Sequence, residues 1–147
     1  MTQYATINEA TAYFDDRLNS QVWYNAEPND QNKALKTATR YIDRLNFVGE
    51  MTDPLQVNQF PRGGDTVVPQ DIKDACCELA YVLLDGVDIE NERGNLDMVS
   101  QGYGNVRSTY SREQKPAHVL AGIPSIVAWN LLLPYLPDSR VIAVTRV

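Results

Sequence analysis

The sequence predicts a mainly α protein: a compact bundle of three to four helices, a small β-hairpin excursion and an extended C-terminal tail. Three stretches carry that prediction. In residues 68–86, Ile72, Ala75, Cys76, Leu79, Ala80 and Leu83 recur at helical spacing, which makes this segment the spine of the core. Residues 117–136 are apolar on nearly every face, so a helix here is central or covered by a partner. Between them, residues 98–110 alternate weakly around Gly102-Tyr103-Gly104-Asn105, the pattern of a hairpin.

The elements follow in order. Thr6-Ile7-Asn8-Glu9 reads as a capping box, with the hydroxyl and the carboxylate three residues apart. It opens a first helix over about residues 7–18, with Ala10, Tyr13, Phe14, Arg17 and Leu18 on one face. Asn19-Ser20 breaks that helix, and Gln21-Val22-Trp23-Tyr24 is a short aromatic anchor. Pro28 sits where its missing N–H costs nothing, at the start of a second helix with Ala34, Leu35, Ala38, Tyr41, Ile42 and Leu45 inward. Residues 46–67 hold Gly49, Pro54, Pro61, Gly63 and Gly64, so no regular element should cross them.

Pro69 and Gly86 punctuate the start and the end of the third helix. Residues 88–97 read as a charged loop; Asp88, Glu90 and Glu92 alternate but lack the spacing of a calcium loop. Pro124 opens the last helix, with Ile126, Trp129, Asn130 and Leu133 on one face, and Pro134 and Pro137 end it. Residues 1–137 thus form the helical domain, with the hairpin at about 98–110. Residues 138–147 form the tail.

Composition narrows the function. The formal charge of −6 argues against a nonspecific nucleic-acid coat, which needs a basic surface to release counterions. No apolar run reaches the roughly 20 residues of a membrane span, and the N-terminus has neither a basic start nor an apolar core. A cytoplasmic protein with no membrane partner is expected. Cys76 and Cys77 are adjacent inside a helix and read as small buried hydrophobes rather than a disulfide or a zinc pair. His118 is the single histidine and gathers no metal ligands. Gly63-Gly64 lacks the Lys-Ser or Lys-Thr of a phosphate loop, and no nucleophile elbow or dinucleotide fingerprint appears. The expectation is therefore no enzyme, no catalytic residue, no cofactor and no metal.

Two charged stripes stand out instead. Lys33, Lys36, Arg40 and Arg44 fall within one narrow arc of the second helix, at about 100° per residue. Asp71, Asp74, Glu78 and Asp85 occupy an equally narrow arc of the third. Each stripe reads as a solvated face on its own. Together they suit contacts between neighbours in a head-to-tail ring of identical subunits.

Several short motifs, in order, resemble a small family of tailed-phage proteins. They are Tyr4-Ala5-Thr6 with Glu9-Ala10 and Tyr13-Phe14; Trp23; and Lys33-Ala34-Leu35 with Ala38-Thr39-Arg40-Tyr41-Ile42-Asp43. Phe47-Val48-Gly49, Gln59-Phe60-Pro61-Arg62 and Val68-Pro69 with Ala75-Cys76-Cys77-Glu78-Leu79-Ala80 follow. The likeness covers about residues 4–86, and residues 131–136 more loosely. Such sequences are described either as DnaT-like single-stranded-DNA-binding proteins or as head-to-tail connectors (adaptors) of the virion.

The connector likeness implies a helical subunit of a twelve-membered ring under the capsid portal. A tail or nozzle protein would lie beyond the ring, and genomic DNA would pass through the lumen only as cargo. It places the protein in the neck of the virion, assembled in the host cytoplasm. It also implies that the C-terminal tail docks on the portal. Here Arg140, Val141, Ile142, Val144 and Arg146 would do so by adding a strand to a sheet edge; the other reading of this segment is an edge strand folded back on the hairpin at 98–110 of the same chain. The alternative, a replication accessory protein on single strands, needs a basic groove with stacking aromatics. The acidic balance and the core spacing of most aromatic residues favour the connector.

Overall fold

The structure, a computed structural model, describes residues 3–91 and 117–137. The hairpin expected at 98–110 and the tail at 138–147, with Arg140, Val141, Ile142, Val144 and Arg146, lie outside the described residues. The fold is mainly α. The helices that lie wholly within the described residues are α1 (Ile7–Asp15), α2 (Gln21–Asn25), α3 (Pro28–Asp43), α4 (Gln70–Leu84), α5 (Ala117–Leu120) and α6 (Ile126–Leu132), and residues 89–91, expected as part of a charged loop, are helical as well. A 3-10 turn, Leu133–Tyr135, follows α6. Among the described residues there is no strand; an isolated antiparallel bridge joins Met51 to Arg62.

α4 is the centre. It packs against α3 on one side and α6 on another, with α1 and α2 covering a third. Ile72, Ala75, Cys76, Cys77, Leu79 and Ala80 are all buried, meeting Leu35, Ala38 and Ile42 of α3 and Ala128 and Leu132 of α6 within one core. Full burial of a side chain such as Leu35, Ile42, Ile72 or Leu79 contributes about 1.5–3 kcal/mol. α4 ends where the sequence places its glycine. Gly86 has φ +90°, and Gly86 N–H and Val87 N–H bond the carbonyls of Leu83 and Val82 at 3.2 and 3.1 Å. That pairing satisfies carbonyls the helix itself leaves free.

The capping box of α1 is complete: Thr6 Oγ1 accepts from Glu9 N–H, and Glu9 Oε1 accepts from Thr6 N–H, both at 3.1 Å. The helix is shorter than its apolar periodicity suggests. It stops at Asp15, and the chain turns through Asn19 at φ +60°. Leu18, expected on the inner face, is therefore carried outward and is 87% exposed. The aromatic segment at 21–25 is a helix of its own, and Trp23 is fully buried against Phe14, with ring centroids 5.1 Å apart. Gln31 of α3, also buried, donates from Nε2 to the Trp23 carbonyl at 2.8 Å and so ties α2 to α3.

The last apolar stretch is two helices rather than one, because Gly122 turns at φ +87° and Ser125 caps α6 by accepting from Ala128 N–H. The inward face of α6 is Ala128 and Leu132, with Trp129 and Leu131 partly buried. Ile126 and Leu133, expected to share the inner face, are exposed, since seven residues give only two turns to lay on α4.

Candidate functional site

The connection of residues 46–67 lacks helices, as its prolines and glycines dictate, yet it is fixed in place. Phe60 is buried at the meeting point of Tyr4, Phe47 and Tyr135, with ring centroids 6.1, 4.7 and 5.6 Å away. The Arg62 guanidinium donates to the carbonyls of Phe47, Val48, Gly49 and Gln59 and to Gln59 Oε1. Its five donors suit that many acceptors. Thr52 N–H to Pro61 O (3.1 Å) and Gly63 N–H to Glu50 O (2.9 Å) close the base of the excursion. At its tip, Asp53 and Gln56 bond each other's backbone and Gln56 Nε2 reaches the Asn58 and Pro61 carbonyls. The result is a compact projecting loop that presents Leu55 and Val57 to solvent at 90% and 83% exposure.

A network under the loop joins it to α3. Tyr4 Oη donates to Asp43 Oδ1 and accepts from Phe60 N–H; Gln59 N–H also donates to Asp43 Oδ1. Thr39 Oγ1 accepts from Tyr4 N–H at 3.0 Å and donates to the Leu35 carbonyl at 2.9 Å. Burial raises the Asp43 carboxyl above the ordinary range, against the hydrogen bonds that favour its charged form. Burial and the neighbouring Asp43 hold the Tyr4 hydroxyl protonated far into the alkaline range.

Two depressions flank the loop. The first, about 570 Å³, lies between α3 and the loop and is lined by Lys36, Arg40 and Arg44 with Asp43, Val57 and Asn58. The Arg44 guanidinium lies 5.2 Å from the Tyr41 ring centroid, a cation–π distance. The second, about 530 Å³, runs between the start of α1 and the far side of the loop, and its walls include Leu55, Val57, Phe60, Pro61, Val67 and Val68. Val57 and Asn58 line both, so a basic cleft continues into an apolar groove.

Three of the four basic stripe residues thus share one cleft, while Lys33 is exposed elsewhere on α3. The acidic stripe is interrupted at one position. Asp71 and Asp85 are exposed and Asp74 is half-buried, accepting from Gln70 Nε2. Glu78 is 3% exposed and is no surface acid. It accepts from Arg17 Nε at 2.8 Å, Arg17 Nη2 at 3.1 Å and the Tyr13 hydroxyl. α1 lies over that part of the arc, and Arg17 stacks its guanidinium 4.3 Å from the Tyr81 ring centroid. Leu55 and Val57 were the residues pattern reading missed. Their signal was two apolar side chains in a Pro- and Gly-rich connection with no helix to bury them.

Among the described residues no group of three His, Cys, Asp or Glu side chains could hold a metal ion, and no helix is long and apolar enough to cross a membrane. Cys76 and Cys77 are both buried thiols; burial pushes Cys76 up to about 11, and Cys77 higher still. His118 Nδ1 lies 2.9 Å from the Ile123 carbonyl oxygen, a local contact within the α5–α6 connection.

These features define a small helical protein whose distinctive surface is a basic cleft beside a fixed apolar loop. Residues 2–145 match the family described as "Putative DnaT-like ssDNA binding protein", and the chain belongs to that family. No curated protein and no solved structure matches it.

Proposed function

We propose that this chain is a non-enzymatic virion protein, a head-to-tail connector subunit that forms a ring of about twelve copies between the capsid portal and the tail. The observation that carries this reading is the loop of residues 50–63, which holds Leu55 and Val57 rigidly in water. Apolar residues fixed on an ordered support are what a protein surface offers to another protein. In this reading the portal and a tail or nozzle protein are the other partners, the tail at 138–147 meets the portal, and genomic DNA passes through as cargo. The charge of −6, which keeps DNA from adhering to the channel, supports it.

A second reading, single-stranded-DNA binding, draws support from the family's description and from the cleft of Lys36, Arg40 and Arg44. Against it, Tyr24 is the one strongly exposed aromatic among the described residues, and its hydroxyl is bonded to Asp15, an acidic neighbour unsuited to phosphates.

Mass measurement of the purified protein, alone and with the portal protein, decides between them. A species near twelve times 16.5 kDa, bound to the portal, is the expected result. A monomer that ignores the portal but binds single strands tightly, with an affinity falling steeply as salt rises, would establish the second reading instead.

A further inference from the structure

The composite surface of basic cleft and apolar groove calls for a ligand that is both acidic and apolar, and this chain carries one. Asp15, Asp16 and Leu18 are exposed at the C-terminal end of α1. The turn that bears them is held from behind. Arg17 Nη1 donates to the Leu18 and Asn19 carbonyls at 3.3 and 3.0 Å, Ser20 Oγ donates to the Arg17 carbonyl at 2.9 Å, and the Tyr81 hydroxyl donates to the Asn19 carbonyl at 2.6 Å. Arg17 is committed to Glu78 below, so its charge is already matched beneath the turn. What the turn shows to a partner is one exposed apolar side chain close in sequence to two exposed carboxylates, of which Asp15 also accepts from the Tyr24 hydroxyl.

The groove lies at the other end of the same helix. Thr6 and Glu9, which begin α1, line it. The nine residues of α1 span about 13 Å at 1.5 Å per residue, and Leu18 lies beyond its last turn. A copy therefore cannot fill its own groove with its own turn. Knob and groove on separate faces of one chain make a heterologous contact, which closes into a ring when the rotation permits.

We propose that the Leu18 turn of one copy seats in the groove walled by Leu55, Val57 and Val67 of the next copy. Asp15 and Asp16 then face the adjoining Lys36, Arg40 and Arg44. This deepens the ring reading and rests on it. It also gives the basic residues acidic partners in place of the α4 stripe, part of which is buried.

Cross-linking tests it in the full-length protein. Leu18→Cys and Val57→Cys chains, prepared separately, are mixed under conditions of assembly with the portal protein and oxidised. The native thiols are buried and do not compete. The expected product is a disulfide dimer of one Leu18→Cys chain with one Val57→Cys chain, with little product when Asn29→Cys, on the exposed start of α3, replaces Leu18→Cys. In parallel, Arg40→Glu should weaken self-association roughly tenfold or more, and Asp16→Lys in the same chain should recover part of it. Rings that form normally with Leu18→Ser and Arg40→Glu, or that cross-link equally from position 29, would overturn this contact and leave the ring reading standing. A wild-type chain that stays monomeric even with the portal would overturn both.

Discussion

The Glu78 carboxylate, at 3% exposure, receives one hydrogen bond from Tyr13 of α1 and two from Arg17 in the turn just after it, so it joins α1 and its following turn to α4 more tightly than their apolar contact alone would. Truncating it leaves a guanidinium and a phenol facing an empty site. Glu78→Ala should cost roughly 2–4 kcal/mol, at or below the range for breaking a buried ion pair, because Arg17 keeps some access to water. Glu78→Gln keeps the shape and an acceptor and should cost about half as much. Denaturant unfolding of the two variants checks the order; equal and negligible losses would contradict it. Helical arithmetic placed Glu78 correctly on an arc with Asp71, Asp74 and Asp85. It could not say which element covers that arc. The available signal was Tyr13 and Arg17, four residues apart on one face, and it becomes readable only once α1 is laid on α4.

At the scale of elements, the long connection is the part of the molecule whose order depends on a few contacts. Phe60 meets three rings and has 4% exposure, and it lies outside every helix itself. Phe60→Ala should destabilise by about 3–5 kcal/mol, the range for removing a buried aromatic. Limited proteolysis should then cut within residues 50–63 before the helices; wild-type resistance there would contradict the prediction. Thr6→Ala, which removes one half of the capping box, should cost only about 1 kcal/mol, since Glu9 also holds Lys73 at 2.8 Å. The prolines and glycines of residues 46–67 told the sequence reader that no helix or strand would form. They carried no information on whether the loop would be fixed, because that depends on Tyr4, Asp43 and Tyr135, distant in sequence. The caps of α1 and α4 were legible for the opposite reason: their partners lie within five residues. The exposed face of α6 was misread because every face of that stretch is apolar, so periodicity had little contrast to work with.

At the scale of the whole molecule, buried acids with raised pKa values set the response to pH. Cys76 stays protonated in the fold up to about 11 because of burial, and Cys77 higher for the same reason, reinforced by its neighbour Cys76. In the unfolded chain both ionise near the ordinary thiol value of about 8.5. Between these limits the folded state holds more protons than the unfolded state, so stability falls as pH rises. Tyr4, raised by burial and by Asp43, and Tyr13, raised by burial and by Glu78, add the same slope above the ordinary phenol value of about 10. On the acid side the two shifted carboxylates oppose each other. Glu9, lowered by its bond to Lys73, loses stability as pH falls through its folded value, though its exposure keeps that contribution small. Asp43, raised by burial, contributes most below its unfolded value, and that contribution is lost as pH rises through its folded value. The melting temperature should therefore fall from about pH 8.5 upward, steepening beyond about 10. A Cys76→Ala, Cys77→Ala double variant will be less stable throughout, because it leaves cavities. Its slope is the informative quantity: it should flatten between about pH 8.5 and 10 and stay shallower than the wild-type slope just beyond 10, where the variant has only the tyrosines and the wild type has the thiols as well. An unchanged slope in the double variant would mean that the thiols ionise as readily in the fold as outside it, and that the packing of α3 on α4 is looser than their burial requires.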